Sequence, residues 1–326
     1  MSHARFHPDL LRLDCSAEAA RIEEMLKRVV LRQFRKRGLV VGLSGGIDSS
    51  VVATIATRAL GRERVFGLLM PERDSADETL TLSRTVAEHL GIDHALEDIS
   101  LILDAAGCYK RRDDAIKRLI PDYSPGDKCK LVLPPLTEQE SYRLFKIVVQ
   151  HKDGRTAQAA LDLKSYLTVV AASNFKQRTR KMLEYYYADS MNFAVAGTPN
   201  LLEYDQGFFV KLGDGAADVK PIAHLYKTQV YQLAEFLQVP EVIRQRPPTT
   251  DTYSLPQSQE EFYFSLPYGK MDMVLYGKNH GYSAADIAPH VGLSEKQVQV
   301  VFRDIESKRH AAAYLHSPPV LVETSA

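Results

Sequence analysis

Residues 42–50 read Gly-Leu-Ser-Gly-Gly-Ile-Asp-Ser-Ser, directly behind the apolar run Gly38-Leu39-Val40-Val41. This pattern predicts a strand, a tight turn and a helix. Glycines let a backbone approach an anion closely. The amides that open the next helix then point at that anion, and the helix dipole adds partial positive charge. Ser44, Ser49 and Ser50 add hydroxyl donors, and Asp48 can hold a divalent cation against the same phosphates. The Gly-Lys-Ser/Thr ending of a Walker loop is absent. A plain strand–turn–helix would have no reason to crowd Gly45, Gly46, three serines and an aspartate into the turn itself.

Outward from this stretch, helical and extended patterns alternate. Residues 17–36 space Ile22, Met25, Leu26, Val29, Val30 and Phe34 at helical intervals, with Ser16 as the expected cap. A strand is expected at 38–43, a helix at 48–60, a buried strand at 65–69, a helix at 75–90 stopped by Gly91, and a strand at 94–99. The order predicts an α/β fold with a doubly wound parallel sheet. Ligands of such sheets bind at the carboxyl ends of the strands, where the first loop lies. Residues 107–160 break the rhythm: a charged helix near 110–120 and strands at 128–133 and 142–150 read as an antiparallel insertion. A long helix is expected near 161–189, a strand at 193–196 and a helix at 227–237. From 247 to 266 the chain reads as loop, and 267–316 as a helical C-terminal subregion of a single domain spanning 1–326.

The 326 residues carry 41 Lys+Arg and 41 Asp+Glu, a balance that argues against non-specific nucleic-acid binding. No apolar run approaches the roughly 18 residues of a membrane span, and the N-terminus has no signal-peptide core. Cys15, Cys108 and Cys129 are too scattered for a disulfide framework or a zinc site, so a cytoplasmic protein is expected.

A second block follows the strand at 193–196: Gly197-Thr198, Glu203, Gly207-Phe208-Phe209, Lys211, Gly213-Asp214-Gly215, Asp218, Pro221, Leu225-Tyr226-Lys227-Thr228 and Pro247-Pro248-Thr249, with Asn174 and Arg178-Thr179-Arg180 upstream. The 42–49 loop resembles the pyrophosphate loop of the PP-loop ATP pyrophosphatases, which GMP, asparagine and argininosuccinate synthetases share. The order and spacing of the second block resemble the NAD synthetase family, of the ammonia-dependent type, over roughly residues 17 to 310. The implied fold is the adenine nucleotide alpha-hydrolase-like sheet, with the insertion and helical tail added.

The resemblance implies the roles. Gly42, Leu43, Ser44, Gly45, Gly46, Ile47, Asp48 and Ser49 would bind ATP, together with Thr198, Lys227 and Thr249. Asp48 and Glu203 would ligate Mg²⁺, and Asp48 and Lys227 would carry the catalysis. Arg178, Lys211, Asp218 and Lys308 would contact deamido-NAD. These residue types suit those tasks. A cation about 4 Å from a phosphate gains roughly 4 kcal/mol at an effective dielectric near 20, before desolvation. Arg178 offers a planar fork to phosphate or carboxylate. A lysine at a helix start opposes the dipole, which argues for a ligand-facing Lys227. Bland readings compete: Arg178 and Arg180 as solvated surface, Asp214 as a turn cap, Thr249 as a turn residue, Glu203 as a surface carboxylate.

The implied reaction is attack of the deamido-NAD carboxylate on the α-phosphate of ATP, then amidation of the acyl adenylate by ammonia, releasing AMP and pyrophosphate. A chain of this length leaves little room for a glutaminase domain, so free ammonia or a separate glutaminase is the expected nitrogen source. Relatives are homodimers, which implies a homodimer here, with the helix near 161–189 available to pair. Two alternatives remain at this stage. One is a PP-loop amide ligase acting on a different carboxylate. The other is a DNA-binding regulator: residues 283–310 carry Ala284-Ala285, Gly292-Leu293-Ser294 and an apolar-spaced helix in helix-turn-helix style.

Overall fold

β1 (Leu39–Gly42) lies in the middle of a parallel sheet with β2 (Val65–Leu69), β3 (Asp93–Leu96) and β7 (Ala194–Ala196), in the order β3-β2-β1-β7. The computed structural model describes residues 5–132, 145–247, 253–258, 263–264 and 266–322. Leu39 pairs with Val65 on one side and Ala194 on the other, so β1 is hydrogen-bonded along both edges. Its alternation sends Leu39 and Val41 to one hydrophobic core and Val40 to another. Helices therefore cover both faces, as parallel sheets require, and the doubly wound α/β expectation holds.

The first face packs against α1 (Cys15–Leu26), α2 (Ile47–Leu60), α3 (Asp77–Leu90) and α8 (Lys227–Phe236). The cap of α1 is Asp14, which accepts from the Ala17 N–H at 3.0 Å, and not Ser16. An aspartate one position before the helix reaches the orphan amides that a serine inside the first turn does not. The helix continues in wider π turns through Gln33. α3 stops at Gly91, whose φ of 60° is the left-handed conformation a helix end favours. β3 ends at Leu96 rather than running to 99, because the chain turns there into α4 (Ser100–Ala105).

The opposite face is closed by α4, α5 (Cys108–Lys117) and the 29-residue α6 (Leu163–Met191). Between α5 and α6 the insertion folds as an antiparallel sheet, β4 (Lys128–Val132), β5 (Lys146–Gln150) and β6 (Thr156–Ala160). The expected strand ends at 133 and at 142–144 lie outside the described residues. β6 was not expected: Thr-Ala-Gln-Ala-Ala has weak intrinsic strand preference, and pairing with β5 decides it. Residues 253–258 return to the outer edge of β4, where the Leu255 N–H donates to the Cys129 carbonyl at 3.1 Å.

After β7 come α7 (Leu201–Gln206), α8 and the short α9 (Glu241–Arg244). α10 (Tyr268–Asn279), α11 (Ala284–Val291) and α12 (Glu295–His316) form a separate core with Phe6 and Leu11. The apolar positions of the helix-turn-helix-like pattern, Ile287, Val291, Val298, Val301 and Ile305, are buried in this core. No helix among the described residues is long and apolar enough to cross a membrane.

Candidate active site

The carboxyl ends of β1, β2 and β7 open into a cleft of about 430 Å³. The 42–49 loop forms its floor. Gly45 has φ 68°, and a Cβ there would lie 2.8 Å from that of Leu82, so only glycine closes this turn against α3. Ser44 and Ser49 hydroxyls meet at 3.1 Å, and Ser49 and Ser50 both donate to the Gly46 carbonyl, at 3.1 and 2.8 Å. α2 opens at Gly46 with no side-chain cap. A helix start without a side-chain cap is a ready receptor for an anion.

Asp48, in the first turn of α2, accepts from Asn200 Nδ2 at 3.2 Å on one oxygen and pairs with Lys227 Nζ on the other. Lys227 is only 1% exposed. It opens α8, and its position is set from behind: Asp272 of α10 accepts from the backbone N–H groups of Lys227 and Thr228, at 3.3 and 2.6 Å. That acidic cap offsets the dipole that a lysine at a helix start opposes. Glu203 closes a capping box with Asn200, each side chain accepting from the other's backbone N–H. Burial and then the Asp48 charge push the Glu203 carboxyl up to about 8, with Lys227 pulling the other way. Asp48, Lys227 and Glu203 therefore form one electrostatic unit.

Burial also pushes the Asp272 carboxyl up to about 6, above the ordinary carboxylate value near 3.9. A carboxyl raised on folding favours the folded state below its unfolded pKa, and that contribution is lost as pH rises through about 6. Asp272→Asn is therefore expected to flatten the fall in stability between about pH 4 and 6. Urea midpoints at the two ends of that window check it, and an unchanged slope rejects it.

Thr198 follows β7 and lines the cleft. Thr249 lies outside the described residues. The structure does not bring the four expected dinucleotide contacts into the cleft wall. Arg178 is exposed on α6, its Nε 3.3 Å from the Lys211 carbonyl. Lys211 Nζ donates to the carbonyls of Tyr314 and Ser317, at 2.8 and 3.0 Å. Asp218 accepts from the Val195 N–H at 2.7 Å, serving the edge of β7. Lys308 Nζ donates to the Tyr263 carbonyl at 2.8 Å and pairs with Asp304. Asp214 lines the cleft while capping a turn through the Val210 N–H at 2.8 Å.

Arg180, singled out with Arg178, does line the cleft, and residues missed in the sequence also line or support it: Asn200, Lys181, Glu184 and, behind Lys227, Asp272. An aspartate between Met271 and Met273 in an apolar helix was the one available signal for the last. Gly42 has a specific neighbour, because a Cβ there would lie 2.8 Å from Glu184 Oε1. Gly42→Ala is expected to weaken binding of a non-hydrolysable ATP analogue by about tenfold. Gly42→Ala/Glu184→Ala should recover most of it, read by calorimetry. No recovery would mean that the clash lies elsewhere.

Among the described residues no group of three or more His, Cys, Asp or Glu side chains gathers around a point. Asp48 and Glu203 alone still suit Mg²⁺, which takes one or two carboxylates and completes its shell with phosphate oxygens and water. Burial and the Asp48 charge both disfavour an ionised Glu203, a cost that a dication would relieve.

The parallel sheet and its loop define a PP-loop α/β nucleotide-binding protein. The chain belongs to the NAD synthase family, whose model matches residues 18–118 and 137–313. It is 57% identical to an NH(3)-dependent NAD(+) synthetase of Mesorhizobium japonicum over 96% of this chain and 98% of the relative. A second such synthetase, of Rhizobium meliloti, is also 57% identical, covering 98% and 95%. The fold is shared with an NH3-dependent NAD synthetase from Campylobacter jejuni (TM-score 0.62, 23% identity, 95% of this chain and 100% of that one). It is shared also with an NMN synthetase from Francisella tularensis (TM-score 0.67, 21% identity, 96% and 100%).

Proposed function

We propose that this protein is an ammonia-dependent ligase that converts deamido-NAD to NAD, consuming ATP and releasing AMP and pyrophosphate. The observation that carries the reading is the meeting of the 42–49 loop, Asp48 and Lys227 in one cleft of a chain belonging to this family. The loop amides and serine hydroxyls hold the phosphates of ATP. The substrate carboxylate attacks the α-phosphorus, and the bond to the pyrophosphate oxygen breaks. Lys227 faces the charge that develops on that leaving group. Ammonia then attacks the acyl carbon, and AMP departs as the amide forms. Positioning and fixed charge carry most of the acceleration.

Asp48 and Glu203 would hold Mg²⁺, which supplies charge neutralisation for the phosphates when bound. Thr198, Lys227 and Thr249 would contact ATP. Arg178, Lys211, Asp218 and Lys308 would contact deamido-NAD, and the assembly would be a homodimer. Ammonia would arrive free or from a separate glutaminase, in the cytoplasm.

Turnover with deamido-NAD, ATP, Mg²⁺ and ammonium is expected to yield NAD and AMP in equal amounts. ADP in place of AMP would exclude attack at the α-phosphate. Turnover with another carboxylate and none with deamido-NAD would move the enzyme to a different acid.

A further inference from the structure

Two buried lysine–carboxylate pairs bracket the 42–49 loop. Asp48 and Lys227 stand at its helical end. At its strand end Glu184 lies against Gly42, with Oε1 2.8 Å from the place of a Cβ. Glu184 Oε2 accepts from Lys181 Nζ at 2.5 Å. Lys181 and Glu184 are 5% and 7% exposed, sit one turn apart on α6, and both line the cleft.

The charge of Lys181 also reaches its neighbours. Burial raises the Asp214 carboxyl above its ordinary range, while the Val210 N–H and the Lys181 charge oppose that rise. Burial, and then the Lys181 charge, lower the Lys220 ammonium. Lys181, Glu184 and Asp214 line the cleft together, while Lys220 donates to the Gly215 carbonyl.

Stability does not account for such a pair. Removing two charges from water costs several kcal/mol per ion, and apolar side chains of the same volume fill a core as well or better. Charges kept in the wall of a ligand cleft point to a ligand. The substrate acid reaches the cleft as an anion, and Lys227 is already committed to the leaving phosphates. A second cation is needed where the acid oxygen is brought up to the α-phosphorus, and Lys181 stands at that end of the loop.

We infer that Lys181, held by Glu184, is a positioning residue for an anionic oxygen of the substrate acid. Glu184 fixes the ammonium group, and Gly42 leaves the room that Glu184 occupies. This role rests on the ligase reading above.

Lys181→Gln/Glu184→Gln keeps the side-chain volumes and a hydrogen bond between them while removing both charges. The KM for deamido-NAD is expected to rise about tenfold or more, the effect of losing one hydrogen bond from a charged donor. The KM for ATP should stay within about twofold, a split that separates positioning from general damage, and the melting temperature should hold. A KM for deamido-NAD unchanged while the wild type turns that substrate over would overturn the role of Lys181 and leave the ligase reading standing. An equal rise in both KM values, or a lowered melting temperature, would make the pair structural and equally overturn the role. A wild type that makes no NAD would remove the ligase reading and this role together.

Discussion

Lys227→Met lowers kcat for AMP formation by roughly 10²–10³-fold, the usual effect of losing one fixed donor aimed at developing charge. Lys227 is almost fully buried, paired with Asp48 and pinned by Asp272 at its backbone. In the proposed reaction it would face the phosphates already oriented, with no reorganisation needed as the leaving group forms. Its removal has a second consequence. Burial and Asp48 already push the Glu203 carboxyl up, and Lys227 is the charge that opposes them. Without it, the Glu203 carboxyl moves further up, which weakens the candidate Mg²⁺ site. The variant should therefore need more Mg²⁺ as well as turning over slowly. Leaving Asp48 without its lysine also costs stability, by about 3–5 kcal/mol for a broken buried pair. Lys227→Met/Asp48→Asn separates the effects: stability returns and activity does not. Activity within a few-fold of wild type in a folded Lys227→Met protein would remove Lys227 from the mechanism.

An expected effect on stability of the same size lies outside the cleft. Lys176, 1% exposed on α6, donates to Glu72 Oε1 and Asp74 Oδ2, both at 2.8 Å. Arg112 of α5 also pairs with Asp74, and the Tyr109 hydroxyl donates to Glu72 at 2.9 Å. This network ties the segment after β2 to the helices on the far face of the sheet. Lys176→Met leaves two buried carboxylates short of a cation and is expected to destabilise the fold by about 3–5 kcal/mol. Lys176→Met/Glu72→Gln should recover most of the loss, because glutamine keeps the acceptor for Tyr109 while removing the stranded charge. Burial alone would raise the Asp74 carboxyl; Lys176 and Arg112 overcome it and hold the group well below the usual carboxylate range. A carboxyl lowered on folding stabilises above its unfolded pKa near 3.9 and loses that contribution as pH falls further. Wild-type stability should fall in strong acid, and Lys176→Met should fall less steeply there. Urea unfolding of both proteins between pH 2 and 7 measures it. Equal stability at neutral pH would reject the network as a structural element.

The amino-acid sequence by itself determined the local units. The apolar run at 39–41 and the Gly-Ser-Asp turn after it specify β1, the loop and α2, because turn chemistry and side-chain period act between near neighbours. The helix ending at Gly91 was legible for the same reason. Long-range arrangement was not. Asp48 and Lys227 meet across 179 positions, and Asp272 reaches Lys227 from a third element. Lys181 and Glu184 carry no distinguishing signal in the sequence; the walls of the cleft bury them and turn them into charges that a ligand can use. The Ala-rich β6 is a strand because β5 offers it a hydrogen-bonding edge. Tertiary structure decided these points because burial changes what a charge costs, and burial is a property of the packed chain rather than of any segment.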